Sequence, residues 1–420
     1  MSTERKNMPG AHARISARAH TCASAPARGP RRLKHPAAAA ALLAAALFAG
    51  ASWCAAAPAR MLVVSANDQA SGYAGGMFVR PGARPGGVTV VDFSASPVRA
   101  WHVDGVPCSV IGPPSCVAVG AGGVEILVAS AMQPDPAAPE KLRPDTRVTR
   151  LRATPGGWEQ TAQTSPGAQP SGIALSRDAR QAWVALRAEG AVARLALDDG
   201  GGLRLAGKTS LASAADSLSD IELSPDERTA FATLHTAAAL LVLRVEADGG
   251  LVEKQRLQLP RGAYHIGFLP DGKRALAGCT VDDVLCVLEE EHDGAWRIRE
   301  TIPTGRTPEG VFISPDGRWV AVTCFDGANM LVRNNPWFGQ PSRVYIYSIN
   351  KEGAIRREQA LELKNVLQGA AFTADSRTLV AGQFGEGNLR VFQLKEGAWG
   401  DSGQVIEIPG QSAALAATRD

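Results

Sequence analysis

The chain has 420 residues, among them 44 glycines and 27 prolines, and is 45% hydrophobic, 5% aromatic and 20% charged. Glycine at about a tenth of the chain, against a norm of ~7%, excludes a coiled coil or long helical bundle, and the hydrophobic share excludes a disordered tail protein. The net charge of +3 is unevenly placed: residues 1–57 hold eight of the 44 basic side chains and one of the 41 acidic ones, leaving 36 against 40, or −4, for the remainder. Without a basic stripe, nucleic-acid binding has no electrostatic footing.

The first element is a leader. Arg31-Arg32-Leu33-Lys34 precedes an alanine-rich apolar run that ends in small residues at Ala55-Ala56-Ala57 and Ala57-Pro58-Ala59. Basic segment, short apolar segment and A-x-A site describe an export signal over residues 1–57. The run is short and weakly apolar for a membrane span, and no later stretch is long enough to be one. Residues 58–420 are therefore expected as one domain, periplasmic or secreted, with no stable membrane span after signal removal.

From there the chain repeats. The segment SPDGRWVAV at 314–322 recurs as LSRDARQAWVAL from Leu175, LSPDERTAFATL from Leu223, LPDGKRALAG from Leu269 and TADSRTLVAG from Thr373. The anchor aspartates Asp178, Asp226, Asp271, Asp316 and Asp375, with Asp420 closing AALAATRD, stand 48, 45, 45, 59 and 45 residues apart. A weaker copy from Ser115 makes seven. Each copy reads as an apolar run, a Pro-Asp-Gly-type turn, a second run, a variable loop, a third strand, a glycine turn such as Asp293-Gly294-Ala295-Trp296, and a polar fourth strand. Four short strands per ~45 residues, with no amphipathic helices between them, are propeller blades. The fold class is all-β, a seven-bladed β-propeller. The strand at Ala413–Thr418 has no successor and the one at Arg60–Ser65 has no predecessor, so the ring is expected to close by pairing the C-terminal strand with the N-terminal strands.

Five cysteines lie beyond the leader. If Asp282-Asp283 is a two-residue turn, Cys279 stands opposite Cys286 at disulfide distance, and Cys108 with Cys116 brackets the Gly112-Pro113-Pro114 connection. Two disulfides are expected, with Cys324 as a small buried hydrophobe.

In a propeller the fourth-to-first and second-to-third connections share one face around the channel mouth. Three second-to-third loops are long: Asn67–Gly87, Ala131–Thr146 and Phe325–Ser342. Counting from the anchors places Asp220, Tyr264, His265 and Glu309 at the entrance, joined past the second strand by Asn67, Arg187 and His235. A histidine, two carboxylates and an arginine at one mouth suit a polar anion or an activated water; His265, Glu309 and Asp220 are the candidate catalytic residues. Tyr264, Arg187, His235 and Asn67, with Arg333, Asn334 and Trp337 of the third loop, are the candidate ligand contacts. Mutual satisfaction of buried polar groups is the structural alternative.

Other motifs do not hold. Gly202–Thr209 matches the P-loop pattern, but it runs through an alternating strand instead of opening a helix. No nucleophile elbow, zinc spacing or haem attachment site is present, so no cofactor and no metal are expected.

The SPDGRWVAV-type repeats, their period and seven-fold count resemble the YVTN-repeat and lactonase-type propellers, a group that includes 6-phosphogluconolactonases and muconate-lactonising relatives. The resemblance spans residues 60–420 and implies lactone hydrolysis as one activity. Where such lactonases often carry Pro-Arg-His before the inner strand, Gly262-Ala263-Tyr264-His265 keeps only the histidine, and Gly278-Cys279-Thr280 replaces an Asn-Glu pair; only His265 carries over. Two functions follow. One is a monomeric exported propeller that binds a small polar molecule or a periplasmic protein at the mouth and loop rim. The other is a lactone hydrolase with His265 as general base and Glu309 or Asp220 orienting it or polarising water.

Overall fold

The computed structural model describes residues 60–74, 77–79, 84–329 and 334–418; residues 1–57, expected above as a leader, lie outside them. What builds each blade is visible at the repeat itself. In blade 6, the Ser314 hydroxyl donates to Asp316 at 2.6 Å, Asp316 accepts the Arg318 N–H at 3.0 Å, and Trp319 N–H donates back to the serine oxygen at 2.9 Å. The same lock recurs at Ser176/Asp178, Ser224/Asp226 and Thr373/Asp375. The residue after each of these aspartates takes a positive φ: Ala179, Glu227, Gly317 and Ser376. A short side chain that hydrogen-bonds its own turn fixes the reversal between first and second strands, whatever residue follows.

Seven four-stranded antiparallel sheets result. The innermost strands of blades 2 to 7 are Val117–Val119, Pro170–Leu175, Leu218–Leu223, Ala263–Phe268, Pro308–Ile313 and Leu367–Phe372. In blade 1 the innermost strand is Gln411–Ala417, paired with Leu62–Asp68, which is followed outward by Gly87–Asp92 and Arg99–Asp104. The ladder matches Val63 to Ala417 and Asp68 to Gln411. Thr418 reinforces it, its hydroxyl accepting from Leu62 N–H at 3.1 Å and donating to the Arg60 carbonyl at 2.7 Å. Each innermost strand also packs against those of its two neighbours, all the way round.

The glycine turns before the outer strands bind blades to each other. Trp296 of blade 5 places its ring on Phe231 of blade 4, centroids 4.7 Å apart, while its backbone exchanges two hydrogen bonds with the Gln255 amide. Trp399 repeats this on Gln359 and Trp319 of blade 6. Between blades 2 and 3 the link is a buried guanidinium, paired within blade 2 and donating to backbone carbonyls of blade 3. Arg150, 2% exposed, forms a two-pronged pair with Glu125 at 2.8 and 2.9 Å and donates to the Asp198 and Gly202 carbonyls.

Two expectations are corrected. All five described cysteines are free thiols. The turn after Cys279 has four residues, Thr280–Asp283, with Asp283 at φ 56; Cys279 therefore pairs with Val284, and Cys286 with Ala277. The two thiols are offset by two positions instead of facing each other. The Cys108 thiol donates to the Gly87 carbonyl at 3.0 Å and does not bridge to Cys116. Burial pushes the Cys108 and Cys286 thiols up to about 12, so both are protonated at neutral pH. Cys324, fully buried in the second strand of blade 6, packs among apolar side chains. The P-loop-like segment is the outer strand of blade 3, Leu203–Ser210. Two long loops carry hairpins of their own, Gly72–Ala74 with Met77–Val79 and Met132–Asp135 with Ala138–Pro144.

Truncating Arg150 to alanine leaves Glu125 buried beside only the half-exposed Arg152. We expect a loss of about 3–5 kcal/mol in urea unfolding, most of it recovered when Arg150→Met is combined with Glu125→Met.

Candidate functional site

The innermost strands present a free edge to the channel, and their N–H groups need partners that no ladder supplies. Asp220 and His265, at matching positions in blades 4 and 5, meet that need. Asp220 is 2% exposed; its Oδ2 accepts the Ile266 N–H at 3.1 Å and its Oδ1 the N–H of Ile221 at 3.0 Å. The approach is tight enough that a Cβ on Gly172 would stand 2.7 Å from the Asp220 Cα, so the glycine is required there. Burial raises the Asp220 pKa well above the usual carboxylate range, with the Ile266 N–H opposing it. His265 Nδ1 accepts the Val311 N–H at 2.9 Å, and its Nε2 stands 3.9 Å from Asp220 Oδ2. An Nδ1 that accepts places the neutral ring's proton on Nε2. His265 thus has its basic nitrogen engaged by backbone, which is poor geometry for a general base.

A second group of residues is differently disposed. Arg187, past the second strand of blade 3, donates from Nε to Ser217 Oγ at 2.6 Å and hydrogen-bonds the Tyr264 phenol, its guanidinium 5.5 Å from that ring's centre. The His235 ring meets Tyr264 edge-on at 5.5 Å, and its Nε2 lies 3.0 Å from Thr280 Oγ1. Burial and the Arg187 charge lower the His235 pKa, so it is neutral at pH 7. Burial also raises Tyr264, with Glu309 adding to the effect. Glu309 Oε2 accepts from Gln368 Nε2 at 3.0 Å; burial lifts this carboxyl to about 7 while Gln368 and Arg187 pull the other way. A group half-ionised near neutral pH, beside a fixed guanidinium, is suited to proton transfer or to binding a polar ligand.

The connection between blades 1 and 2 reaches this mouth. Asp68, at the end of a blade 1 strand, accepts the Ile111 N–H at 3.2 Å, and Ile111 packs on the cluster of Phe325, Ala328, Val366 and Phe384. Beside it Gly112, at φ 77, lies so close to the Gln368 amide that a Cβ there would collide with it.

The remaining candidates fall elsewhere. Asn67 is 1% exposed, bonded to Ser65 at 2.8 Å and Thr89 at 2.7 Å, and so is committed to the interior of blade 1. Asn334 is exposed, Trp337 is 40% exposed beneath the Arg306 guanidinium, and Arg333 lies outside the described residues. Gln368 and Ser217, which hold Glu309 and Arg187, were not among the candidates; Gln368 does stand at the inner-strand position shared with Tyr264 and Glu309, the one signal that points to it.

No protein-family model and no curated protein matches the sequence. Solved structures do. The structure resembles a candidate 6-phosphogluconolactonase from Bacteroides uniformis, 17% identical over 85% of this chain and 99% of that one, with a TM-score of 0.64. It also resembles the periplasmic gluconolactonase of Pseudomonas aeruginosa, 20% identical over 85% and 98%, at 0.62. A second candidate 6-phosphogluconolactonase, from Bacteroides fragilis, is 13% identical over 86% and 98%, at 0.64. The fold is that of the lactonase-type seven-bladed propellers. At these identities the likeness concerns the fold alone.

Glu309 gives a pH signature. Because its folded-state pKa exceeds the usual 4.5, the folded protein holds that proton more tightly, and stability falls as pH rises from about 4.5 to about 7. Glu309→Gln removes the penalty. The variant is expected to melt above the parent at pH 8, with the difference vanishing toward pH 4; a difference independent of pH would contradict the assignment.

Proposed function

We propose that the protein acts after export and binds a small polar ligand carrying hydroxyl and carboxyl groups, of sugar-acid type, at the channel mouth. The observation that carries this reading is the Arg187–Tyr264–Glu309–Gln368 constellation. A guanidinium with five N–H donors, bonded here to Ser217 and the Tyr264 phenol, keeps donors for a carboxylate, and Glu309 with Gln368 offers both a donor and acceptors for hydroxyls. Gln368 Oε1 and Ser171 Oγ, both buried, have no protein partner among the described residues, which suits polar groups that a ligand completes. The exported location rests on the charge and apolar pattern of residues 31–59.

Lactone hydrolysis is the second reading, favoured by the structural neighbours and by Glu309. In it Glu309 would activate water and Arg187 would stabilise the developing oxyanion, with His265 and Asp220 as positioning residues. Ionised Glu309 would be the active form, so turnover would rise with pH through about 7.

Calorimetry with D-gluconate and a lactone panel separates the two. The binding reading expects saturable gluconate binding, weakened about tenfold or more by Arg187→Ala, and no lactone opening above the spontaneous rate. The hydrolase reading expects turnover abolished by Glu309→Gln. Neither binding nor turnover would overturn both.

A further inference from the structure

A second polar recess lies where blades 5 and 6 meet, and its walls share no residue with the Arg187–Tyr264–Glu309–Gln368 group. It is a cavity of about 260 Å³ with Asp283, Arg306, Trp337, Gln340 and Tyr345 in its walls. Its floor is self-satisfied: Asp326 accepts from Arg306 N–H at 2.7 Å, from Arg343 at 3.1 Å and from the Tyr345 hydroxyl at 3.0 Å. That network leaves two opposite charges over. The Arg306 guanidinium lies 3.8 Å from the centre of the Trp337 ring, held by the aromatic face. Among the described residues it forms no ion pair and no side-chain hydrogen bond. Asp283 uses Oδ1 to accept the Thr307 N–H at 2.7 Å and, among the described residues, its carboxylate also forms no ion pair. The two line one cavity yet do not pair with each other.

A guanidinium held over an indole face by its charge keeps its N–H donors for other partners, in the fork that matches a carboxylate. A carboxylate in the same walls, with one oxygen already fixed by backbone, can accept an ammonium with the other. The adjacent Asp283 and Asp326 make a doubly charged anion a poor occupant, because like charges would face it. The volume suits a molecule of a few to about a dozen heavy atoms, below the ~300 Å³ at which drug-sized pockets begin.

We propose that this recess is a binding site for a free α-amino acid, its carboxylate on Arg306, its ammonium on Asp283, and its side chain along Trp337 and Tyr345. The site is separate from the channel mouth and does not depend on the ligand bound there.

The test uses the protein lacking its leader, with the Trp337 indole N–H resonance, assigned through Trp337→Phe, as the local probe, and with calorimetry. L-Alanine and L-glutamine are titrated beside acetate and methylammonium, each of which supplies only half of the zwitterion. Saturable shifts of the Trp337 signal with an amino acid are expected, with each half-molecule at least about tenfold weaker. Arg306→Gln and Asp283→Asn should each weaken the amino acid about tenfold or more, without changing the melting temperature; in the second variant the side-chain amide oxygen still accepts from the Thr307 N–H. Arg187→Ala, at the channel mouth, should leave the titration unchanged. The proposal is overturned if no amino acid moves the Trp337 resonance, if acetate binds as well as the amino acids, or if binding survives Arg306→Gln and is lost in Arg187→Ala.

Discussion

Residues at opposite ends of the described chain hold the ring together. Gln411–Ala417 pairs with Leu62–Asp68, and Thr418 is bonded to Leu62 across 356 positions of sequence. Without that ladder blade 1 would lack its inner strand, and the inner strands of blades 2 and 7 would each lose a neighbour they pack against. The mouth depends on the same ladder. Asp68, at its end, accepts the Ile111 N–H and so helps hold the blade 1–2 connection near Gln368, and Gln368 in turn holds Glu309.

The polar residues around the channel divide by what they already bond. Asp220 and His265 complete the free edge of the next blade's inner strand, so much of their hydrogen-bonding capacity is consumed by backbone. Arg187, Tyr264 and Glu309 form contacts among flexible side chains, with donors and acceptors to spare. Titratability alone does not separate the two groups, since burial raises both Asp220 and Glu309. Partner identity separates them: a carboxyl serving two backbone amides is structural, whereas one poised between an amide side chain and a guanidinium can respond to a ligand.

Much of the fold was legible because its decisive contacts are local. The Ser-x-Asp locks at 176, 224 and 314 close within five residues and print themselves on the sequence at a blade's interval, as do the tryptophan turns at 296 and 399. The site was legible in part. Counting from the anchor aspartates does bring Arg187, Tyr264 and Glu309 together. It fails for Asn67, where depth in the blade and not height along the strand decides exposure. The Cys279–Cys286 register, read from a two-residue turn at Asp282-Asp283, fails because the turn holds four residues. The Arg306–Trp337 stack joins the link between blades 5 and 6 to a loop well downstream in the chain, and no local pattern announces such a contact.

Native-state hydrogen exchange tests the role of ring closure most directly. If the end-to-end ladder is what makes the ring cooperative, amides in Leu62–Asp68 and Gln411–Ala417 should open only with the free energy of global unfolding, matching those of Thr229–Leu234 in blade 4. Exchange of the terminal pair at much lower free energy, with blade 4 still protected, would show that the ring stands without its closing strand and contradict the account.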